Sequence, residues 1–189
     1  MSEKTTCLTS SLTRTAFIDL DKIIDVLTET AGADGKCVWC GIGKAGHIAR
    51  YGASLMSSAA MESAFLHPAE AVHGDFGVLG ARDCLIVISH SGASIEPLAV
   101  MEHAQWLRRV PVIAITSDCK SPIGNNADHV ILYDQVDEEF GKVPANASLI
   151  QLSIVNRIVI GTAKRLNRGI DYLTARHPGG SIGAEYRRK

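Results

Sequence analysis

The stretch Cys84-Leu-Ile-Val-Ile-Ser-His-Ser-Gly-Ala-Ser-Ile-Glu96 decides the predicted fold. Its first five residues are apolar and include β-branched side chains, which predicts a short buried strand. Serines and a glycine follow, and Ser94 and Pro97 suit the N-cap and first turn of a helix. Hydroxyls and free N–H groups at a helix N-terminus favour an anion, so this serine loop (residues 89–94) is predicted to cradle a phosphate group. An ordinary serine-rich turn before a capped helix is the alternative interpretation.

The composition is that of a globular protein without a basic surplus. Of the 189 residues, 46% are hydrophobic and 21% are charged, and the net charge is −1. This balance offers no excess charge to attract nucleic acid or an anionic membrane surface. No apolar run reaches the roughly 18 residues of a membrane span, and the first residues lack the apolar core of a signal peptide. One domain and a cytoplasmic location are therefore predicted.

Apolar runs alternate with helical patterns along the chain. Strands are predicted over residues 37–40, 64–66, 84–88, 111–116 and 129–133, and helices over residues 8–31, 44–60, 96–108 and 145–166, with a shorter one between 117 and 127. Continuous apolar strands that alternate with helices are typical of a parallel sheet covered on both faces. We therefore predict an α/β fold: a three-layer αβα sandwich with a five-stranded parallel sheet, flavodoxin-like. Ligands in such sheets bind beyond the carboxyl ends of the strands, where the serine loop lies.

The helix predicted over residues 145–166 is apolar around nearly its whole circumference. A helix of this kind is buried on all sides. A subunit interface is the simplest way to bury its second side. The alternative is that the N-terminal helix, residues 8–31, covers it within one chain.

Other segments carry residues suited to chemistry. Gly41-Ile-Gly-Lys-Ala-Gly46 matches the dinucleotide pattern, but the second strand ends in His67 rather than in the acidic residue that a nicotinamide site requires. His177-Pro-Gly-Gly-Ser-Ile-Gly183 predicts a defined loop placed against a site, its own or a neighbour's. Cys37-Val-Trp-Cys40 lies in a predicted strand, so its thiols point to opposite faces and are interpreted as buried structural thiols.

The segment His67-Pro-Ala-Glu-Ala-Val-His-Gly-Asp-Phe-Gly77 combines imidazole and carboxylate groups. These are the groups that proton transfer near neutral pH requires. A structural loop and a metal site are the competing interpretations, although the spacing matches no known zinc motif. The metal ligands would be His67, Glu70, His73 and Asp75.

Together these segments resemble the sugar isomerase (SIS) domain, and more closely the arabinose-5-phosphate isomerases. The resemblance rests on Gly41–His47, His67–Asp75, the serine loop with Glu96, and His177–Gly180, and it spans about residues 36–183. It implies reversible isomerisation of D-arabinose 5-phosphate and D-ribulose 5-phosphate through a cis-enediol, without a metal or organic cofactor, in the supply of Kdo for lipopolysaccharide or capsule. It also implies a homotetramer with sites at subunit interfaces. The length suggests a single SIS domain over residues 1–189, without the CBS domains that many members carry.

The resemblance further implies roles for individual residues. Lys44 would stabilise developing oxygen charge, and His73, Glu96 and His177 would be the acid–base candidates. Asp137, Glu138 and Glu139 compete for the place of a family glutamate with a catalytic role, and Glu138 is favoured. The implied substrate- and phosphate-binding residues are Gly43, His67, Asp75, Ser89, Ser91, Gly92 and Ser94.

Two departures from the family pattern bear on the substrate. Ala45 and the segment Ala145-Asn146-Ala147 stand where the family usually carries hydroxyl side chains. The alternative functions are therefore another sugar-phosphate isomerase such as 6-phospho-3-hexuloisomerase, and a non-catalytic sugar-phosphate sensor. A nicotinamide-dependent enzyme is a more distant alternative.

Overall fold

The computed structural model describes the backbone of residues 3–186 and the side chains of residues 8–184. Its helices are α1 (Glu3–Thr15), α2 (Asp21–Gly32), α3 (Gly43–Ala59), α4 (Pro68–Ala71), α5 (Ile95–His103), α6 (Pro122–Asn126), α7 (Asn146–Arg165), α8 (Ile170–Ala175) and α9 (Gly180–Tyr186). Its strands are β1 (Cys37–Cys40), β2 (Ser63–Leu66), β3 (Cys84–Ile88), β4 (Val112–Thr116) and β5 (His129–Leu132). A 3₁₀ turn covers Asp75–Val78, and a π turn covers Ala104–Arg108.

The five strands form one parallel sheet in the order β2-β1-β3-β4-β5. Side chains of α2, α3 and α7 pack on one face of the sheet, and those of α4, α5 and α6 pack on the other. The predicted three-layer sandwich is confirmed. Strand order reverses between β1 and β3, which makes their carboxyl ends the switch point where ligands bind in such sheets.

The N-terminal region forms two helices, so the prediction of one helix over residues 8–31 is wrong. The chain breaks at residues 16–20, between α1 and α2. Arg157 of α7 donates to the carbonyl oxygens of Thr15 and Ile18, and the carboxylate of Asp19 accepts the N–H of Asp21. These bonds satisfy backbone groups that a continuous helix would have bonded internally, so the tertiary contact stabilises the break.

Helix α7 is covered largely by its own chain. Helices α1, α2 and α3 all pack against it. The contact with α2 is close, because a Cβ atom on Gly161 would lie 2.5 Å from Cδ1 of Ile24. The alternative interpretation of its apolar circumference, cover by the N-terminal region, is therefore confirmed. The apolar pattern of this helix no longer argues for a subunit interface.

The cysteines of the first strand point to opposite faces, as predicted. Cys37 packs in the cluster on the α7 side, and Cys40 packs in the cluster on the α5 side. Burial raises the pKa of Cys40 to about 12, which the N–H of Gly41 opposes, and burial also raises the pKa of Cys37. Both thiols therefore remain protonated near neutral pH and have a structural role.

Candidate functional site

A cavity of about 250 Å³ opens at the switch point between β1 and β3. The loop after β1, the serine loop after β3, and the N-terminal part of α7 with its preceding loop contribute its walls. This switch-point cavity is lined by Ile42, Lys44, Ala45, Ile88, Ser89, His90, Ser91, Ser94, Lys142, Pro144, Ser148 and Gln151. The structure thus brings together the predicted residues Lys44, Ser89, Ser91 and Ser94.

The shape of the serine loop depends on Gly92. This residue has φ +63°, and a Cβ atom there would lie 1.8 Å from Oγ of Ser121 in the neighbouring loop. The Gly92 N–H donates to Oγ of Ser89 at 3.1 Å. Only glycine fits a left-handed conformation in such close contact, and this turn carries Ser91 and Ser94 into the cavity wall.

Helix α5 begins directly after the serine loop. Ser94 occupies the N-cap position, but its side chain makes no capping hydrogen bond, and its Oγ lies 3.4 Å from Oγ of Ser89. The N–H groups of the first helical turn have no preceding turn to donate to, so they are available at the cavity together with the hydroxyls. Glu96 lies in this first turn and is half-buried.

Two lysines give the cavity a positive charge. Lys44 lies in the first turn of α3, and Lys142 lies in the loop before α7. Both side chains are exposed, and neither forms an ion pair with a carboxylate among the described side chains. Two unpaired cations beside the three hydroxyls of the serine loop and that of Ser148 make an environment that favours a phosphate group.

A buried hydrogen-bond network forms the wall opposite α5. His90 Nδ1 lies 2.9 Å from Tyr133 Oη, and Gln151 Nε2 donates to the same oxygen at 2.6 Å. Burial lowers the pKa of His90 and raises that of Tyr133, so both groups are neutral near pH 7. Lys142, Ser148 and this network were missed by sequence reasoning. The one sequence signal that could have revealed part of the network is Gln151, a polar residue in a nearly continuous apolar helix.

Glu138 makes its contacts at the start of α7. Its carboxylate accepts the N–H groups of Ala145 at 2.9 Å, Asn146 at 2.8 Å and Ala147 at 2.7 Å. These are donors that a helix N-terminus leaves unpaired. Glu138 therefore caps α7 and does not line the switch-point cavity.

The predicted residues of the His67–Gly77 loop do not line the switch-point cavity. His73 and Asp75 are exposed, and His67 is half-buried with its Nδ1 atom enclosed and without a hydrogen-bond partner. Among the described side chains, no three histidine, cysteine, aspartate or glutamate residues form a group suited to a metal ion. A second cavity, of about 450 Å³, lies beside His73 and is lined by Ala71, Val72, Gly74, Phe76, Ala99, Val100 and His103; we call it the α5 cavity.

His177 lies between α8 and α9, and its Nδ1 atom is 2.6 Å from the carbonyl oxygen of Leu173. Nearby Tyr172 and Arg176 line a cleft with Gly35 and Glu62, which precede β1 and β2. This cleft is at the amino edge of the sheet. The cavity extends along α7 to Gln151, and the rest of this helix, to Arg165, spans about 20 Å between the cavity and the cleft. His177 therefore does not reach the switch-point cavity of its own chain.

Most of the chain matches the model of a known domain family. The SIS domain profile matches residues 33–161, which include β1, the serine loop and most of α7. The chain belongs to the SIS domain family. The SIS fold thus accounts for the parallel sheet and for the position of the switch-point cavity.

Individual relatives support this SIS assignment. Arabinose 5-phosphate isomerase KdsD of Francisella tularensis is 32% identical over 168 residues, which cover 87% of this chain and 51% of that protein. The chain therefore spans about half the length of this curated relative. A candidate phosphosugar isomerase of Bacteroides fragilis involved in capsule formation has a solved structure with TM-score 0.85 and 30% identity, covering 94% of this chain and 97% of its own.

A more distant solved structure shares the SIS fold. It is a protein of E. coli CFT073 in complex with a sugar phosphate, with TM-score 0.79 and 24% identity, covering 94% of this chain and 100% of its own. In the part of the SIS chain described here, no helix has the length and sustained hydropathy of a membrane span.

Proposed function

We propose that this SIS domain is an aldose–ketose isomerase that interconverts D-arabinose 5-phosphate and D-ribulose 5-phosphate. One observation carries the proposal: two lysines and four serines line a cavity at the switch point of the sheet. The cavity, at about 250 Å³, has room for a pentose phosphate. The names of the relatives, which include arabinose 5-phosphate isomerases, support the choice of substrate.

In the proposed mechanism the serine loop and the first turn of α5 hold the phosphate group. A carboxylate or imidazole then removes the proton from the carbon beside the aldehyde of the open-chain sugar, and a cis-enediol(ate) forms. A proton returns to the former aldehyde carbon, while the hydroxyl proton of the second carbon moves to the first oxygen. The aldehyde becomes an alcohol and the alcohol becomes a ketone, so the reaction needs no external oxidant or reductant.

Lys44 and Glu96 are the proposed reactive groups within one chain. Lys44 lines the cavity and would stabilise the negative charge that develops on oxygen in the enediolate. Glu96 lies two residues beyond Ser94 in the first turn of α5 and would exchange protons with the substrate. Gly43 precedes Lys44 with φ +61°, a left-handed conformation at the start of α3.

We further propose that complete sites form between copies of the chain, in a homotetramer. Neither His73 nor His177 lines the switch-point cavity of its own chain, so we propose that each serves a site in a neighbouring copy. The surface around His73 is suited to such a contact, because Val72, Ile95 and Trp106 are 60%, 74% and 75% exposed. The ring of Trp106 lies 5.5 Å from that of His103, and His103 lines the α5 cavity together with Val72, so Trp106 extends this surface.

The wider role is part of the same proposal. An arabinose-5-phosphate isomerase would supply the precursor of Kdo from the cytoplasm. The relative from Bacteroides fragilis, with its part in capsule formation, supports a role in a surface polysaccharide.

A different sugar phosphate is the second candidate, and Ala45 favours it. This residue lines the switch-point cavity without a hydroxyl group. Ala145 and Ala147 offer only their N–H groups, which Glu138 already accepts. Hexulose 6-phosphate is therefore the second substrate to test.

The decisive experiment is proton NMR of the purified protein with arabinose 5-phosphate. We expect conversion to an equilibrium mixture with ribulose 5-phosphate. The Lys44→Ala variant should convert the sugar about two to three orders of magnitude more slowly, because it lacks the group that stabilises charge on oxygen. Lys22→Ala is the matched control, because Lys22 holds the same second position of α2 and is also exposed. If the protein turned over only hexulose 6-phosphate, that sugar would replace arabinose 5-phosphate as the proposed substrate. Binding of either sugar without turnover would indicate a sensor.

Shared sites are tested by mixing two inactive variants. Lys44→Ala and His177→Gln should each lose turnover, and subunit exchange between them should restore part of it, because some mixed sites contain both wild-type residues. Trp106→Glu should shift the sedimentation of the protein to smaller species, whereas Phe17→Glu, 82% exposed at the α1–α2 break, should not. No recovery on mixing, or a monomeric wild type, would contradict shared sites.

A further inference from the structure

The hydrogen-bond network of His90, Tyr133 and Gln151 joins three segments of the chain at the switch-point cavity. His90 belongs to the serine loop, Tyr133 follows β5, and Gln151 lies in α7. His90 and Gln151 line the cavity, whereas Tyr133 is buried behind them with 4% of its surface exposed. The network thus connects the cavity wall to the protein interior.

The hydrogen-bond partners of Tyr133 favour one tautomer of His90. Gln151 Nε2 donates to Tyr133 Oη, so that oxygen already serves as an acceptor. Tyr133 has one O–H hydrogen, and His90 Nδ1 at 2.9 Å is the remaining partner of its hydroxyl among the described residues. The hydroxyl therefore donates to Nδ1. This leaves His90 neutral with its hydrogen on Nε2.

The backbone of His90 is held as firmly as its ring. Its carbonyl oxygen accepts the N–H of Ser117 at 3.1 Å, the hydroxyl of Ser117 at 2.8 Å and the hydroxyl of Thr116 at 3.2 Å. These groups come from the carboxyl end of β4. Because both its backbone and its Nδ1 atom are fixed, the imidazole ring has a defined position before any ligand binds.

The other ring nitrogen of His90 is available to a ligand. Nε2 has no hydrogen-bond partner among the described residues, and it does not belong to the fully buried unpaired atoms. The ring is directed toward β5 and α7 by its bond to Tyr133, whereas Ser91 and Ser94 border α5. Because His90 lines the cavity, Nε2 is the ring nitrogen that remains open to a ligand there.

We propose that His90 binds the sugar portion of the substrate, donating its Nε2–H to a hydroxyl oxygen, and that Tyr133 and Gln151 are positioning residues that fix its tautomer. The proposal rests on the proposed function, since it assigns a specificity-determining residue to the same site. A neutral donor adds selectivity for hydroxyl oxygens, while Lys44 and Lys142 supply charge for the phosphate group.

The first test is NMR of the imidazole nitrogens in protein labelled at histidine, with the His90 signals assigned by their loss in His90→Gln. We expect an unprotonated Nδ1 and a protonated Nε2 in the free protein. Adding arabinose 5-phosphate should shift the Nε2 signal, and inorganic phosphate alone should leave it in place. A protonated Nδ1 in the free protein, or unchanged signals with both arabinose and ribulose 5-phosphate, would overturn the proposal.

Kinetics provide the second test. His90→Ala should raise KM by about tenfold, with a smaller change in kcat, as expected for one lost hydrogen bond. Tyr133→Phe should raise KM by about threefold and abolish the tautomer preference in the NMR spectrum. The matched controls are His129→Gln, at the amino end of β5, and Tyr51→Phe, which removes a hydroxyl bonded to Asn156 of α7 outside the cavity. If the control variants changed KM and the NMR spectrum as much as the test variants, His90 and Tyr133 would have only a structural role.

The two proposals fail in different ways. A protein that shows no turnover but shifts its His90 signal with a sugar phosphate would lack the proposed isomerase activity and retain His90 as a sugar contact. A protein that turns over arabinose 5-phosphate with an unmoved His90 signal would retain the activity and lose the assignment of His90.

Discussion

Replacing Glu138 by glutamine separates two roles that the same residue could have. The resemblance to arabinose-5-phosphate isomerases predicts a catalytic role for it, whereas the structure shows its carboxylate at the N-terminus of α7. Glutamine has nearly the same shape but only one acceptor oxygen and no charge. The variant should therefore weaken the cap of α7 and leave the switch-point cavity intact.

The size of the effect follows from the three N–H groups that the carboxylate accepts. A single amide oxygen cannot accept all three, and the amide nitrogen would face donors, so at least one bond is lost. One charge-assisted bond contributes about 1.5 to 3 kcal/mol, and the charge at a helix N-terminus contributes about 0.3 to 1 kcal/mol. Because the site is partly exposed, we expect a loss of about 2 kcal/mol. For a domain of this size that lowers the melting temperature by about 4 to 8 °C.

Thermal unfolding and isomerase rates, measured on the same preparations, decide between the roles. Asp137→Asn is the control, because Asp137 is exposed one position away and should leave the melting temperature unchanged. At a temperature where all variants are folded, Glu138→Gln should keep its rate within about threefold of wild type, since cap loss leaves the cavity residues in place. A fall of several hundredfold in rate with an unchanged melting temperature would refute the capping argument and restore the catalytic role.

Two further predictions concern residues that hold the sheet and the serine loop. Burial raises the pKa of Asp83, but its hydrogen bonds with Lys36, at 2.5 Å to Nζ, outweigh burial and hold that pKa below its usual value. The stabilising contribution of the Asp83 carboxylate is therefore complete above about pH 4 and is lost as the pH falls through the lowered pKa. Asp83→Asn should lower the free energy of unfolding by about 2 kcal/mol at pH 7 and leave it unchanged at strongly acid pH. Denaturant unfolding at the two pH values measures this difference. Gly92→Ala should destabilise the chain by more than about 2 kcal/mol because of its positive φ and the contact with Ser121, whereas Gly43→Ala, with φ +61° and open space around it, should cost about 1 kcal/mol. Equal melting temperatures for these two glycine variants would contradict the close contact at Ser121.

Much of the SIS fold could be predicted because its signals are local. The strand after Asp83 is a continuous apolar run, and so is the strand before Ser117, which is what a doubly covered parallel sheet requires. The position of the serine loop at a carboxyl edge followed from the alternation of strands and helices. The N-terminal break was not predictable from its own residues, because Arg157, which stabilises it, lies more than a hundred residues away.

Some residues of the candidate site could likewise be predicted from local sequence, and others meet only in the folded chain. Lys44 and the serine hydroxyls follow directly after their strands, so sequence order alone indicated that they would converge. His90, Tyr133 and Gln151 become partners only when β3, β5 and α7 are assembled, and the same is true of Glu138 and the start of α7.

The sequence by itself determined the parallel sheet and its two covering layers, and it predicted a phosphate site at the serine loop, because each depends on residue types at short spacing. Only the tertiary structure decided where the N-terminal helix breaks, what covers α7, and which hydrogen bond fixes His90. It also placed His73 and His177 away from the switch-point cavity of their own chain. The physical reason is that hydrogen bonds and side-chain packing join residues distant in the chain, and no local pattern encodes which partners meet.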